Sequence, residues 1–233
     1  MKTLFLTSFH GYISRNLLLT DFFRIISAQD DLTLVLIVPK GKKIYFENHF
    51  KRSSMIIEEV SFETPSSISL ASLVAKRAAK YALNSRSTAI ERRIKWKLEG
   101  RFFYFLGLWI LAHVVSSHRV FRRILRSFDF YFAPRGRFDD LFLRYRPDAV
   151  FATDMLNERD IEIAHQARRT GIRVLGMIRS WDNLTLHGLL RVIPDRLFVS
   201  SPRVKELAET LHDVSSKHIE MVGIPHYDRY IRG

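Results

Sequence analysis

The densest chemistry in the chain lies in ten consecutive residues, Arg179-Ser180-Trp181-Asp182-Asn183-Leu184-Thr185-Leu186-His187-Gly188. A turn needs Gly, Pro, Asn or Asp at only one or two positions, so a Trp, an Asp, an Asn, a Thr and a His within seven residues exceed what a connector requires. Ser180, Trp181, Asp182, Asn183, Thr185 and His187 suit recognition of a sugar or a diphosphate, with the indole as a flat wall and the carboxylate and amide as bonding groups. The same residues also describe a self-bonded loop, in which Asp182 and Asn183 hold nearby backbone amides and Trp181 packs under a helical insertion in the middle of the chain. Both readings stand together, because a loop that positions a ligand must be rigid. Two further residues have catalytic types. His10, in Ser8-Phe9-His10-Gly11, is placed as a general base for a bound hydroxyl, and imidazole exchanges its proton near neutral pH. Gly11 beside it is a candidate ligand contact. Asp154 is a candidate to orient a hydroxyl or a His, or else to cap the helix that follows.

These residues need elements to hold them. Continuous apolar runs at residues 2–7, 33–38, 55–60, 148–153, 173–178, 196–200 and 219–222 read as about seven strands buried on both faces. Helical spacing between them, from Ser14 to about residue 28, at residues 157–169 and from Pro202 to about 212, predicts alternating strands and helices. That alternation predicts an α/β fold, a single doubly wound parallel sheet covered on both faces. Ligands of such sheets bind outside the carboxyl ends of the strands. The His10 turn, Asp154, the loop at 180–188 and Ser200-Ser201 all fall there.

The middle of the chain breaks this rhythm. Residues from about 69 to 132 read as a long helical insertion, and the chain's excess charge gathers around it. Net charge is +13 over 233 residues, and residues 76–146 hold 17 Lys and Arg against 5 Asp and Glu. Such a patch suits an anionic partner, whether a membrane surface, a nucleic acid or a phosphorylated substrate, or is simply a solvated helix face. Residues 102–115 form a 14-residue apolar run. At about 1.5 Å per residue it covers about 21 Å, short of the roughly 30 Å hydrocarbon core of a bilayer. Arg92, Arg93, Lys95, Trp96, Lys97, Arg101, Arg122 and Arg123 flank it, and Trp109 lies within it. This mixture is that of a helix lying in an anionic membrane interface. The run also suits a core helix packed on the sheet, and opposite faces can serve both roles.

Several classes are set aside. There is no cysteine, which excludes disulfides and thiolate metal sites, and no histidine spacing suggests a metal site. The dinucleotide glycine fingerprint, P-loop, nucleophile elbow and zincin motif are absent. Helix-turn-helix and RNA-binding signatures are absent too, leaving nucleic acid only the charge to support it. The first residues lack the apolar core of a secretory signal.

Three motifs in order carry a family resemblance. Arg144-Tyr145-Arg146-Pro147-Asp148-Ala149-Val150-Phe151-Ala152-Thr153 resembles a strand of the GT-B-type glycosyltransferases that make surface polysaccharides. Ser180-Trp181-Asp182-Asn183-Leu184-Thr185, followed by Gly188, resembles their Trp-Asp-Asn loop. Gly223-Ile224-Pro225-His226-Tyr227-Asp228 resembles the stretch where their first domain hands over to the second. The layout is also similar to that of CDP-glycerol glycerophosphotransferases and UDP-GlcNAc 2-epimerases. The resemblance spans residues 2–230, is strongest at 144–228 and is weak in the insertion. One departure is His187, where the pattern has Lys.

The resemblance implies two Rossmann-like domains across a cleft, the first binding the acceptor and the second a nucleotide-sugar. Residues 1–233 then correspond to the acceptor-side domain, with the donor-binding domain beyond Gly233 or on another chain. The expectation is a cytoplasmic protein, peripheral on the inner face of the membrane, acting on a glycan or lipid-linked acceptor and binding no cofactor in this domain. His10 or Asp154 would activate the acceptor hydroxyl. Alone the domain would have little or no transferase activity. The alternatives are a non-catalytic membrane-docking partner of a separate donor-binding chain, or part of a glycerophosphotransferase-like enzyme.

Overall fold

The structure, a computed structural model, describes residues 1–53, 55–63, 69–100 and 102–231. Its centre is one parallel sheet: β1 (Lys2–Thr7), β2 (Leu32–Pro39), β3 (Met55–Val60), β4 (Ala149–Ala152), β5 (Arg173–Met177), β6 (Arg196–Val199) and β7 (Ile219–Met221). The order across the sheet is β3-β2-β1-β4-β5-β6-β7, and every pairing is parallel. The chain runs outward from β1 in one direction, then returns to β4 and runs the other way. The reversal between β1 and β4 opens a crevice at their carboxyl ends.

The short helices of the sheet are α1 (Gly11–Ile13), α2 (Asp21–Ser27) and α3 (Lys43–Phe50) on the β1–β3 side, then α8 (Asp139–Tyr145), α9 (Glu158–Arg169), α10 (Asn183–Leu186), α11 (Pro202–His212) and α12 (Asp228–Ile231). Strand side chains alternate between faces. Leu6, Leu34 and Leu36 pack with Phe23 of α2 and with Phe46 and Phe50 of α3. Phe5, Val35 and Val150 pack on the opposite face with Phe142 of α8, Ile161 and Ala164 of α9, and Val204 and Ala208 of α11. The first helix departs from the expected unbroken one. His10, rather than Ser14, is its N-cap, and residues Ser14–Leu18 form a π-helical turn, closed by the Leu19 amide on the Ser14 carbonyl at 2.9 Å. Such turns are rare and are frequent at functional sites. The chain then bends at Thr20 before α2 begins.

The insertion is four helices: α4 (Leu70–Tyr81), α5 (Arg86–Glu99), α6 (Phe102–Ser117) and α7 (Arg119–Phe132). Ser69 and Ser85 cap α4 and α5 through bonds from the Ser72 and Thr88 amides, both 3.1 Å. Gly100, with φ +64°, ends α5 and turns the chain back into α6. Only Leu108, Ala112 and Val115 of α6 are buried, so the apolar run serves as core along one stripe and is exposed elsewhere.

Two expected membrane residues are instead internal struts. Arg92 is 2% exposed and donates to the Leu83 carbonyl and the Asn84 side chain, each at 3.1 Å. Arg122 is 6% exposed and grips Asp213 through Nε at 2.7 Å and Nη2 at 2.6 Å. A guanidinium pairs bidentately with a carboxylate in this way, and Arg122 thereby ties α7 to the end of α11. Arg93, Trp96, Lys97, Trp109 and Arg123 do face outward. Arg101 and the side chain of Lys95 lie outside the described residues.

Candidate functional site

His10, Asp154, Arg179, Asn183 and His187 line one open cleft of about 470 Å³ at the carboxyl ends of β1 and β4. Four of these five were expected from the sequence. The loops after β1, β4 and β5 each supply at least one, so the sheet's strand order assembles the site.

Asp154 is the cleft's organiser. It is buried, and Arg179 Nε donates to its Oδ2 at 2.7 Å. Asn183 Nδ2 and the Leu156 amide reach its Oδ1, both at 3.3 Å. A carboxylate so engaged is acting as a strut: it holds the first residues after β5 against the end of β4. Arg179 was not singled out from the sequence, although a cation directly after a buried strand is a signal of its own. Its guanidinium also lies 5.7 Å from the Tyr12 ring centre, and Arg15 lies over the same ring at 5.2 Å. Tyr12 in turn stacks on His10 at 4.9 Å.

His10 Nδ1 accepts the Tyr12 amide at 3.3 Å. With Nδ1 accepting, the neutral ring carries its hydrogen on Nε2 and presents a donor. It becomes a base only when the ring releases Tyr12. Gly11 is exposed and opens α1.

The remaining polar residues of the loop bond to the loop itself. Ser180 Oγ donates to Asp182 Oδ1 at 2.5 Å, and Thr185 Oγ1 donates to the Asp182 carbonyl at 2.9 Å. Ser85 Oγ, at the start of α5, donates to the Thr185 carbonyl at 2.7 Å. Trp181 is 77% exposed, which overturns the part of the self-bonded reading that packs it under the insertion. Gly188 has φ +84°, and a Cβ there would stand 2.5 Å from the Ala79 carbonyl oxygen and the Lys80 Cα. Only glycine lets the loop lie this close to α4, where the Leu189 amide reaches the Ala79 carbonyl at 2.8 Å.

Two buried groups beneath the cleft escaped the sequence. His212, fully buried in α11, accepts the Leu190 amide on Nδ1 at 3.0 Å, while its Nε2 lies 2.9 Å from the Leu184 carbonyl. It staples both sides of the loop. Burial, with Arg126 and Arg122 nearby, pushes its pKa down to about 4 despite the Leu184 bond. Asp160, the third residue of α9, accepts Thr7 Oγ1 and, at 3.0 Å, the Thr153 amide. Burial chiefly, with a contribution from Asp154, pushes its pKa up to about 8. Among the described residues no group of three His, Cys, Asp or Glu side chains is placed to hold a metal ion.

A seven-stranded parallel sheet of this order, with a polar cleft at its switch point, is a Rossmann-like α/β domain. No protein-family model and no curated protein sequence matches the chain. Among solved structures, Phytolacca americana UGT2 complexed with UDP-2fluoro-glucose and pterostilbene superposes with a TM-score of 0.46 at 9% identity, over 97% of this chain and 55% of its own. The chain thus spans little more than half the length of that protein. A likeness so slight carries no functional conclusion.

Proposed function

We propose that this chain is the acceptor-binding half of a GT-B-type glycosyltransferase that acts on a membrane-proximal glycan or lipid-linked acceptor in surface polysaccharide synthesis. The observation that carries this reading is the convergence of His10, Asp154, Arg179, Asn183 and His187, from three separate loops, on one cleft. The loop after β5 holds one motif that resembles that family, and β4, which leads into Asp154, holds another. In this reading Asp154 and Asn183 shape the wall, and Arg179, His187 and the exposed face of His10 meet the acceptor. His10 activates its hydroxyl after releasing Tyr12. The nucleotide-sugar binds a second domain or chain facing the cleft.

The insertion is the membrane anchor. Its α5–α6 turn carries Leu98 and Phe103, 81% and 85% exposed, beside Trp96 and Phe102 and the cations Arg93 and Lys97. No helix among the described residues is long and apolar enough to cross a membrane. In this reading the exposed tip and its cations make the attachment interfacial and peripheral, on the cytoplasmic leaflet.

A second reading, a non-catalytic docking partner of a donor-binding chain, draws support from the engaged state of Asp154 and His10. NMR tests the first reading with a panel of glycans and UDP-, GDP- and CDP-activated sugars, with binding followed on the ligand signals and its place on the protein's histidine ring signals. A glycan should bind and shift the His10 and His187 ring signals, with no saturable binding of the activated sugars. Tight binding of an activated sugar in this cleft overturns the acceptor assignment. If a donor-binding chain is supplied, loss of transfer in His10→Ala with glycan binding retained supports catalysis, and unchanged transfer supports the docking role.

A further inference from the structure

A smaller cavity, of about 220 Å³, lies between the first turns of α9, the residues that follow α7, and Phe62. It adjoins the cleft, because Glu158 and Arg159 line both. Most of its charges are paired. Arg137 meets Glu162 at 2.8 Å, and Lys76 meets Glu158 at 3.1 Å. Arg191 meets Glu158 at 2.6 Å and Asp129 at 3.0 Å. Lys76, Arg137, Arg159 and Arg191 thus stand against Glu158, Glu162 and Asp129, which leaves one positive charge over. That charge belongs to Arg159, which has no carboxylate partner among the described residues.

Arg159 is nevertheless held in place. Its guanidinium lies over the Phe62 ring, 4.5 Å from the ring centre. Phe62 is fixed in turn by Phe9, edge to face at 4.8 Å, and by Arg137 at 5.1 Å. A guanidinium stacked on an aromatic face keeps its in-plane N–H groups free, in the fork that matches a carboxylate. Glu158, Ile161, Glu162 and His165 line the cavity from one stripe of α9. His165, at the far end of that stripe, is 2% exposed. Its Nε2 lies 2.8 Å from Asp129 Oδ2, so in the neutral ring Nε2 carries the hydrogen and Nδ1 is an acceptor. That Nδ1 is buried and has no partner. Burial lowers the ring's pKa despite Asp129 and so keeps it neutral. A cationic fork and an orphaned acceptor therefore bound a cavity whose walls also include Ile161, Ala133 and Pro134.

We propose that this cavity binds a sugar acid, a single monosaccharide unit that bears one carboxylate. The carboxylate pairs with the Arg159 fork and matches the one spare charge. A ring hydroxyl donates to His165 Nδ1, other hydroxyls donate to Glu158 and Glu162, and the C–H face lies on Ile161 and Pro134. The size suits one unit. The cavity of about 220 Å³ exceeds the roughly 150 Å³ that takes benzene and falls short of the roughly 300 Å³ at which drug-sized sites begin. The acid is either free or one unit of a glycan whose next unit lies in the cleft beyond Arg159. The second source rests on the acceptor reading above; the first stands without it.

Isothermal titration of the full chain compares D-glucuronate and D-galacturonate with their neutral parents, D-glucose and D-galactose, and with acetate. At least one uronate should bind about tenfold or more tightly than its parent and than acetate, since only the uronate engages both ends of the cavity. Arg159→Gln should weaken that uronate about tenfold, to the level of the neutral sugar. Arg173→Gln, which changes an exposed arginine outside the cavity, should leave binding as it was. Circular dichroism checks that each variant is folded. The bound uronate should also shift the His165 ring-nitrogen signals in NMR, which a carboxylate held by Arg159 alone would not do. A uronate that binds no better than its parent or acetate, or that binds Arg159→Gln equally well, overturns the proposal, as does a silent His165. A trisaccharide ending in the same uronate separates the two sources. Competition with the monomer together with a shift of the His187 ring signals places the acid in a glycan that reaches the cleft; no binding of the trisaccharide makes it a free ligand. Loss of glycan binding in the cleft with uronate binding intact would count against the acceptor reading alone.

Discussion

His212 and Asp160 sit beneath the same cleft and titrate in opposite senses. In the folded chain His212 stays neutral down to about pH 4, whereas an unfolded histidine protonates near 6.5. The unfolded chain therefore takes up this proton first, and stability falls as pH drops from about 6.5 to about 4. Asp160 keeps its proton up to about pH 8 in the fold, against about 3.9 when unfolded. The unfolded chain releases this proton first, so the group favours the fold at low pH and that contribution is lost as pH rises toward 8. Urea titrations across pH separate the two. Between pH 7 and 4, wild type should lose about 3 kcal/mol more than His212→Gln. Between pH 4 and 8, wild type should lose several kcal/mol relative to Asp160→Asn, whose amide cannot ionise. Profiles that run parallel to wild type would show that neither group titrates as assigned. Neither residue stood out in the sequence, and the reason is physical. His212 closes a helix 22 residues from Leu190 and 28 from Leu184, and only the fold brings them together. Asp154 was visible, but not its partner Arg179, because a residue's position after a strand is legible while the direction of its side chain is not.

The loop at 180–188 is held by elements far from it in sequence. Gly188 is where α4 and the loop meet, and both its left-handed backbone and its contact with Ala79 and Lys80 forbid a side chain. Gly188→Ala should lower stability by about 3 kcal/mol, the combined cost of strain and a backbone clash. The urea midpoint and the amide-exchange protection of Leu189 measure it; an unchanged midpoint would mean that the loop does not lie against α4. The strands and most helix starts of the sheet were legible, because apolar runs bounded by Pro, Gly and capping Ser or Asn encode them locally. Ser201-Pro202 does open α11, with Ser201 Oγ accepting the Val204 amide at 3.4 Å. The π-turn after His10 was not legible: the apolar spacing of residues 14–28 fits a helix, and tertiary contacts override it. The insertion divides the same way. Sequence shows a cationic helical segment, but Arg92 and Arg122 look there like Arg93 and Arg123. Removing Arg122 leaves the part-buried Asp213 short of its closest partner and should cost about 3 kcal/mol. Arg123→Gln, at the surface, should change stability by less than about 0.5 kcal/mol. Equal effects of the two changes would show that α7 is rotated from its assigned face.

At the scale of the molecule the chain has two ends of different chemistry, and the insertion joins them. Ser85 fixes the start of α5 to the loop through the Thr185 carbonyl. The helix then runs 14 residues to the turn at Gly100, about 21 Å at 1.5 Å per residue. Trp96 stacks on Phe105 at 5.0 Å, which fixes the tip as a single aromatic cluster. Such a patch with cations beside it favours an anionic bilayer surface, where each Lys or Arg contributes roughly 1 kcal/mol and apolar burial adds to it. Flotation with vesicles of neutral and anionic lipid, at two salt concentrations, measures this directly. The chain should float with anionic vesicles and progressively less as salt rises, because exposed charges are screened within about 10 Å at 0.1 M. Leu98→Ser/Phe103→Ser should abolish flotation while the urea midpoint stays as it was, since neither side chain is buried in the fold. A polynucleotide competitor that displaced the vesicles would instead assign the basic segment to nucleic acid. Binding that ignored both salt and the tip would remove the membrane from the function.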